Sequence, residues 1–141
     1  MQTIEMGDLR FALDDALEWH DDEGTLVAYL PGTDFANLRV TLLTIADDRD
    51  RPIAGGGTRT LRREAEKGGL RVMESGDMLW CHYTEPSSDG APGSTMHYWY
   101  AGLEAYFLIV SCFVEAAMAD DAQVKFVLGT VPGMIASVEV A

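Results

Sequence analysis

The chain has 141 residues and a net charge of −13, because 23 acidic residues face only 10 lysines and arginines. A field of this sign repels nucleic acid and anionic membranes and attracts basic partners. The length predicts one domain, residues 1–141, and a content of 48% apolar and 23% charged residues is ordinary for a globular protein. The acidity is uneven, since residues 1–50 hold 12 acidic side chains and three basic ones.

The first residues carry neither the basic start nor the apolar core of a secretory signal. The longest apolar stretch, residues 105–114, is too short to span a bilayer. Cys81 and Cys112 both lie in apolar runs, which favours two buried thiols in a reducing compartment over a disulfide. We therefore expect a cytoplasmic protein with no membrane segment.

The front half of the chain predicts two strands around acidic and glycine-rich loops. An apolar run at 9–13 precedes the segment 14–24, which we interpret as a solvated acidic loop. A strand at 26–30 ends at a Pro-Gly turn. The strand at 38–46 alternates apolar and polar residues, with one buried face formed by Leu38, Val40 and Leu42.

Residues 55–57 are three glycines after an acidic stretch, and we expect a flexible linker there. They lack the spacing and the lysine of a phosphate-binding loop. A helix is predicted over 58–67, with Thr58 or Thr60 as its cap and Gly68-Gly69 as its end.

The back half predicts four strands linked by turns, over 70–74, 78–84, 95–100 and 105–114. The last is the most apolar and is expected at the centre of the sheet. A C-terminal helix should begin near Asp120 or Asp121, and Pro132 is expected to kink it or break it in two. The predicted fold class is α+β, an antiparallel sheet of about five to seven strands packed against two or more helices.

Two clusters carry candidate chemistry. The first, residues 18–23, puts His20 among carboxylates, but it lacks the spacing of a calcium-binding loop. The second places His82 near His97, with Trp80 and Trp99 on the same strands. Two histidines without a third ligand make a weak metal site, and a cysteine on the opposite face is poor geometry for a nucleophile and its base. The sequence therefore predicts no catalytic residue, no metal and no cofactor.

The layout resembles small bacterial domains of the PsbP-like α/β/α fold, shared by a photosystem extrinsic protein and a Ran-binding transport factor. The matching segments are 9–13 with Trp19 shortly after, the strand 38–41, the helix around 62–65 and the end 134–140. The resemblance implies no catalytic residues. It implies a binding module, since bacterial members include chaperones that accompany type VI secretion effectors.

We therefore expect a non-enzymatic acidic module that binds a basic protein, either an immunity protein against a toxin or an effector chaperone. No nucleic-acid or membrane partner is expected, and a homodimer needs only an apolar patch. The alternative is an enzyme or ligand carrier with a pocket near His82, His97 and Trp99. The partner-binding residues that we predict lie on the acidic segment and on an aromatic strand face: Asp14, Asp15, Asp21, Asp22, Glu23, Trp80, Trp99 and Tyr100.

Overall fold

A computed structural model describes residues 1–141 as ten strands, two helices and one 3-10 turn. In chain order these are β1 (Gln2–Met6), β2 (Leu9–Leu13), β3 (Glu18–Asp22), β4 (Thr25–Tyr29), β5 (Leu38–Thr44), α1 (Gly56–Gly68), β6 (Met73–Ser75), β7 (Met78–Pro86), β8 (Thr95–Leu103), β9 (Tyr106–Val114), the 3-10 turn (Ala116–Met118), α2 (Ala122–Ala136) and β10 (Glu139–Val140). Neither helix has the length and apolar character needed to cross a lipid bilayer.

The strands form two antiparallel sheets. Seven of them pair in the order β3-β4-β5-β9-β8-β7-β6, and the other three pair in the order β1-β2-β10. The predicted α+β class is confirmed, and the apolar strand β9 is the fourth of seven, at the centre of its sheet as predicted. The predicted hairpins of β6, β7, β8 and β9 are also present, with bounds shifted by a few residues.

The large sheet buries its two faces to different extents. What we call the inner face packs against α2 and the small sheet, and its side chains include Leu38, Val40, Trp99 and Val110. What we call the outer face packs against α1, where Leu61 and Ala65 of the helix contact Leu79, Cys81 and Phe107. α1 is the only helix on the outer face, so it does not cover the whole sheet. In β9, the outer-face residues beyond the helix are therefore half-exposed, while their inner-face neighbours are buried.

The prediction of a flexible glycine linker at 55–57 is wrong, because Gly56 and Gly57 are buried in the first turn of α1. A Cβ on Gly57 would overlap the carbonyl of Tyr106, and one on Gly102 would lie 2.5 Å from the Gly57 carbonyl oxygen. The Gly57 amide donates to the Glu104 carbonyl at 2.8 Å. The β8–β9 turn thus caps the helix, which makes the predicted threonine caps wrong as well. Gly69 ends the helix with φ 62°, as predicted.

The predicted acidic loop over 14–24 is also wrong, because residues 18–22 form the edge strand β3. They pair with the buried strand β4 through a two-residue turn, in which Glu23 and Gly24 have φ of 52° and 89°. Positive φ at both central residues is the geometry that matches the twist of a tight hairpin. A buried neighbour and a tight turn therefore hold a polar segment in an extended conformation.

Helix α2 begins as predicted, since the Asp121 carboxylate accepts the amides of Gln123 at 2.8 Å and Val124 at 3.1 Å. The break expected at Pro132 does not occur, because the helix runs unbroken from Ala122 to Ala136. Pro132 itself is exposed, while residues on both sides of it, Val131 and Ile135, are fully buried on the inner face. This packing compensates for the hydrogen bond that proline cannot donate.

We predict that Gly57→Ala destabilises the protein by about 1–3 kcal/mol or more, because the added methyl group meets strand backbone and not a movable side chain. Gly129→Ala is the matched control. Gly129 lies within α2 with no atom inside 4 Å of the new Cβ, so the change should stabilise by about 0.5–1 kcal/mol. Urea unfolding of both variants measures the difference. A Gly57→Ala variant as stable as the wild type would contradict the close contact.

Candidate functional site

Strand β3 is an exposed, acidic edge of the large sheet. All five of its residues are exposed, and Trp19 keeps 43% of its surface accessible. Its carboxylates and that of the turn residue form what we call the acidic edge, made of Glu18, Asp21, Asp22 and Glu23. Charged side chains on an edge strand also prevent uncontrolled pairing with other strands. A partner that binds here therefore needs positive charge opposite these carboxylates.

The acidic residues predicted as a site do not all serve the same purpose. Asp14 holds the turn before β3, where its side chain accepts the Ala16 amide at 2.8 Å. Asp15 lies beside the amino group of Met1 at 2.6 Å. Asp22 pairs with Arg39 at 3.1 Å, whereas Asp21 and Glu23 are exposed and form no ion pair. Of the five predicted acids, only Asp21, Asp22 and Glu23 therefore belong to the acidic edge.

The predicted aromatic face does not exist as one surface. Trp99 lies on the inner face and is only 4% exposed. Trp80 lies on the same side, half-buried, and its indole nitrogen donates to the Ser75 hydroxyl at 3.3 Å. Tyr100 projects to the outer face, where its hydroxyl is 2.9 Å from that of Tyr83. Neighbouring residues of a strand point to opposite faces, which separates Trp99 from Tyr100.

The histidines stack beside Trp99 without lining a pocket. The rings of His82 and Trp99 are 4.6 Å apart and nearly parallel, and His82 Nε2 lies 3.2 Å from His97 Nδ1. Partial removal of the stacked rings from water lowers the pKa of both imidazoles, so both are neutral at neutral pH. The five main clefts of the surface are lined by other residues. The aromatic cluster is thus packed flat.

The largest of the five main clefts, about 530 Å³, lies at the end of the large sheet that α1 leaves open, between outer-face residues such as Phe113 and the buried start of α2 at Val124. Its apolar walls are Phe35, Met96, Phe113 and Met118, and its polar groups include Asp34, Arg39, Ser111 and Glu115. Sequence reasoning missed it because the lining comes from separate parts of the chain: the loop 34–37 and β5, the start of β8, the end of β9, the 3-10 turn and the start of α2. The order β5-β9-β8 is what brings these segments together.

The cleft joins the acidic edge through one ion pair. Arg39 lines the cleft and holds Asp22 of β3, so the two surfaces are continuous. Asp34 and Glu115 of the cleft form no ion pair. Glu85 stands opposite Met96 in the register of β7 and β8. Burial and the negative charge of the nearby Glu85 both raise the pKa of the Tyr98 hydroxyl. Carboxylates therefore surround a floor of aromatic and methionine side chains.

Neither cysteine is placed for chemistry. Both are free and buried, Cys81 on the outer face and Cys112 on the inner face. Burial raises the pKa of the Cys81 thiol and raises that of Cys112 to about 12. A thiol that stays protonated is a weak nucleophile.

Comparisons with known proteins identify the fold and nothing finer. No protein-family model matches the chain, and a search of the curated proteins finds no match. The solution structure of cyanobacterial PsbP (CyanoP) from Synechocystis sp. PCC 6803 matches with a TM-score of 0.58 and 10% identity, over 99% of this chain and 92% of that one. The chain has the PsbP-like fold, as its sequence pattern suggested.

A second solved structure is more similar in shape. A crystal structure from Bacteroides thetaiotaomicron VPI-5482 matches with a TM-score of 0.70 and 17% identity. The match covers 95% of this chain but only 45% of that one, so the chain spans less than half of the Bacteroides protein. At these identities the likeness is one of fold, and function has to be argued from the surface of this chain.

We predict that neither thiol reacts quickly with a thiol-specific disulfide reagent in the native protein at pH 8, because both are buried with raised pKa values. Both should react at once in 6 M guanidinium chloride (on the order of the concentration that unfolds even very stable domains). Rapid native reaction of either thiol would contradict the inert packing described above.

Proposed function

We propose that the chain is a non-enzymatic module of the bacterial cytoplasm that binds a basic protein. An immunity protein against a toxin and a chaperone of a secretion effector are the two classes that suit such a module. The observation that carries the proposal is the continuity of the acidic edge with the cleft through Asp22 and Arg39. A partner can meet charge and apolar surface in one contact.

The charge supports a basic partner because most of it is unpaired. Six ion pairs serve 23 acidic residues, and four of the six paired acids keep more than half of their side-chain surface in solvent. Surface pairs of this kind add little stability, so the excess acids are not needed to hold the fold together. A one-signed surface raises the association rate with an oppositely charged protein and discriminates against acidic ones.

The cleft supports a specific contact in addition to attraction by charge. Aromatic side chains contribute most to the affinity of protein interfaces, and methionines adapt their shape to a partner. Phe35, Phe113, Met96 and Met118 provide such a surface, with carboxylates at its rim. A lysine or arginine of the partner can lay its aliphatic stem on this floor and place its charge beside Asp34 or Glu115.

The first test reverses the charge of the acidic edge with Asp21→Lys, Asp22→Lys and Glu23→Lys together. We expect binding to the partner recovered from native lysate to be lost, because both attraction and orientation depend on these groups. The control reverses three exposed acids far along the chain, Asp48, Glu66 and Asp77, which changes the net charge equally. Binding is measured at low and high salt, and only the acidic-edge variant should lose it. Undiminished affinity of the acidic-edge variant at low salt rules the acidic edge out.

The second test removes an apolar wall of the cleft without changing charge. Phe113→Ala should weaken binding about tenfold or more, since a buried aromatic anchor contributes roughly 2 kcal/mol. Phe126→Ala is the matched control, because Phe126 is 42% exposed on α2 and lines a different cleft. Calorimetric titration compares the two variants after thermal melts confirm that both are folded. Equal affinities of both variants would exclude the cleft from the interface.

A further inference from the structure

The stacked histidines His82 and His97 lie outside the proposed binding surface, and their ring nitrogens face each other at close range. His82 stands opposite Trp99 in the register of β7 and β8, and His97 stands opposite Thr84. The two histidines are therefore diagonal neighbours on one face of an antiparallel pair, within reach of each other. His82 Nε2 and His97 Nδ1 lie 3.2 Å apart, with one ring nitrogen donating and the other accepting according to the tautomer.

This separation matches that of two imidazole ligands on one metal ion. Histidine nitrogens bind zinc at about 2.0–2.1 Å, so two of them stand roughly 2.9 Å apart at a right angle and roughly 3.3 Å apart at the tetrahedral angle. The observed 3.2 Å lies between these values. An ion bound by both rings would replace the hydrogen bond that now joins the two nitrogens.

The pair is held in place from one side and open on the other. The His82 ring stacks on Trp99 at 4.6 Å with an interplanar angle of 12°, and the His97 ring lies 5.7 Å from the same indole. Trp99 is itself buried among the core residues, so the platform under the rings is fixed. His82 is exposed and His97 is half-buried, which leaves their nitrogens accessible to an ion from solvent.

We propose that His82 and His97 form a two-imidazole chelate for a late first-row divalent ion such as Cu²⁺, Ni²⁺ or Zn²⁺. Imidazole nitrogens suit these ions, whereas Ca²⁺ and Mg²⁺ require oxygen ligands. No third histidine, cysteine or carboxylate joins the pair. The remaining coordination positions are thus filled by water or by a donor of a second protein.

The test uses the quenching of tryptophan fluorescence by Cu²⁺ or Ni²⁺, since Trp99 stacks directly on a proposed ligand. The wild-type protein should show saturable quenching with one ion per chain, and excess Zn²⁺ should displace Ni²⁺ and restore the emission. Changing His97→Asn or His82→Asn removes a direct ligand. Each should weaken Ni²⁺ binding by at least the ~10–100-fold that loss of an outer-shell partner costs at metal sites.

His20→Asn is the matched control, because His20 is the third histidine and is exposed on β3. This variant should bind as tightly as the wild type. A large excess of Mg²⁺ should leave the quenching unchanged, which separates chelation from general attraction to an acidic surface. Equal Ni²⁺ affinity in the wild type and in folded His97→Asn and His82→Asn variants, with folding checked by circular dichroism, overturns the proposal.

Discussion

The close contact between the start of α1 and the β8–β9 hairpin is the constraint on which the arrangement of the outer face depends. Gly57 lies against the backbone of Tyr106, and Gly102 makes room for the helix on the neighbouring strand. The Glu104 carbonyl fixes the helix by accepting its first free amide. Because β8 and β9 are nine residues long, a helix anchored at their turn covers one end of the sheet and leaves the other end open. The cleft forms at that open end.

Local patterns in the sequence were enough for the fold class and for most elements. Alternation revealed β5, Gly69 ended α1, and Asp121 began α2, because each signal acts on its own neighbours in the chain. The predictions that were wrong concern segments whose conformation is set by contacts with distant parts of the chain. Strand β3 has no apolar alternation and is extended because β4 pairs with it. The glycines at the start of α1 suggest flexibility by composition, and only the approach of β9 shows why no side chain fits there.

The site could be predicted only in part, for related reasons. Acidic residues after position 14 are surface groups in any fold, so the charge of the edge could be read directly. The prediction of one aromatic face was wrong because Trp99 and Tyr100 are consecutive residues of a strand, and their side chains must point to opposite faces of the sheet. The cleft draws on several distant stretches of sequence, and the histidine pair depends on the register of β7 and β8. Neither is visible until the strands are paired.

Charge and apolar surface meet at one side of this molecule, and we propose that the partner binds there. Hydrogen–deuterium exchange of the chain, free and bound to its partner, tests the claim most directly, because protection maps the contact without any substitution. We expect slower exchange in the complex at β3, in the loop 31–37 and at the end of β9. Protection confined to α2 and the three-stranded sheet, with β3 and the loop exchanging as in the free protein, would contradict it.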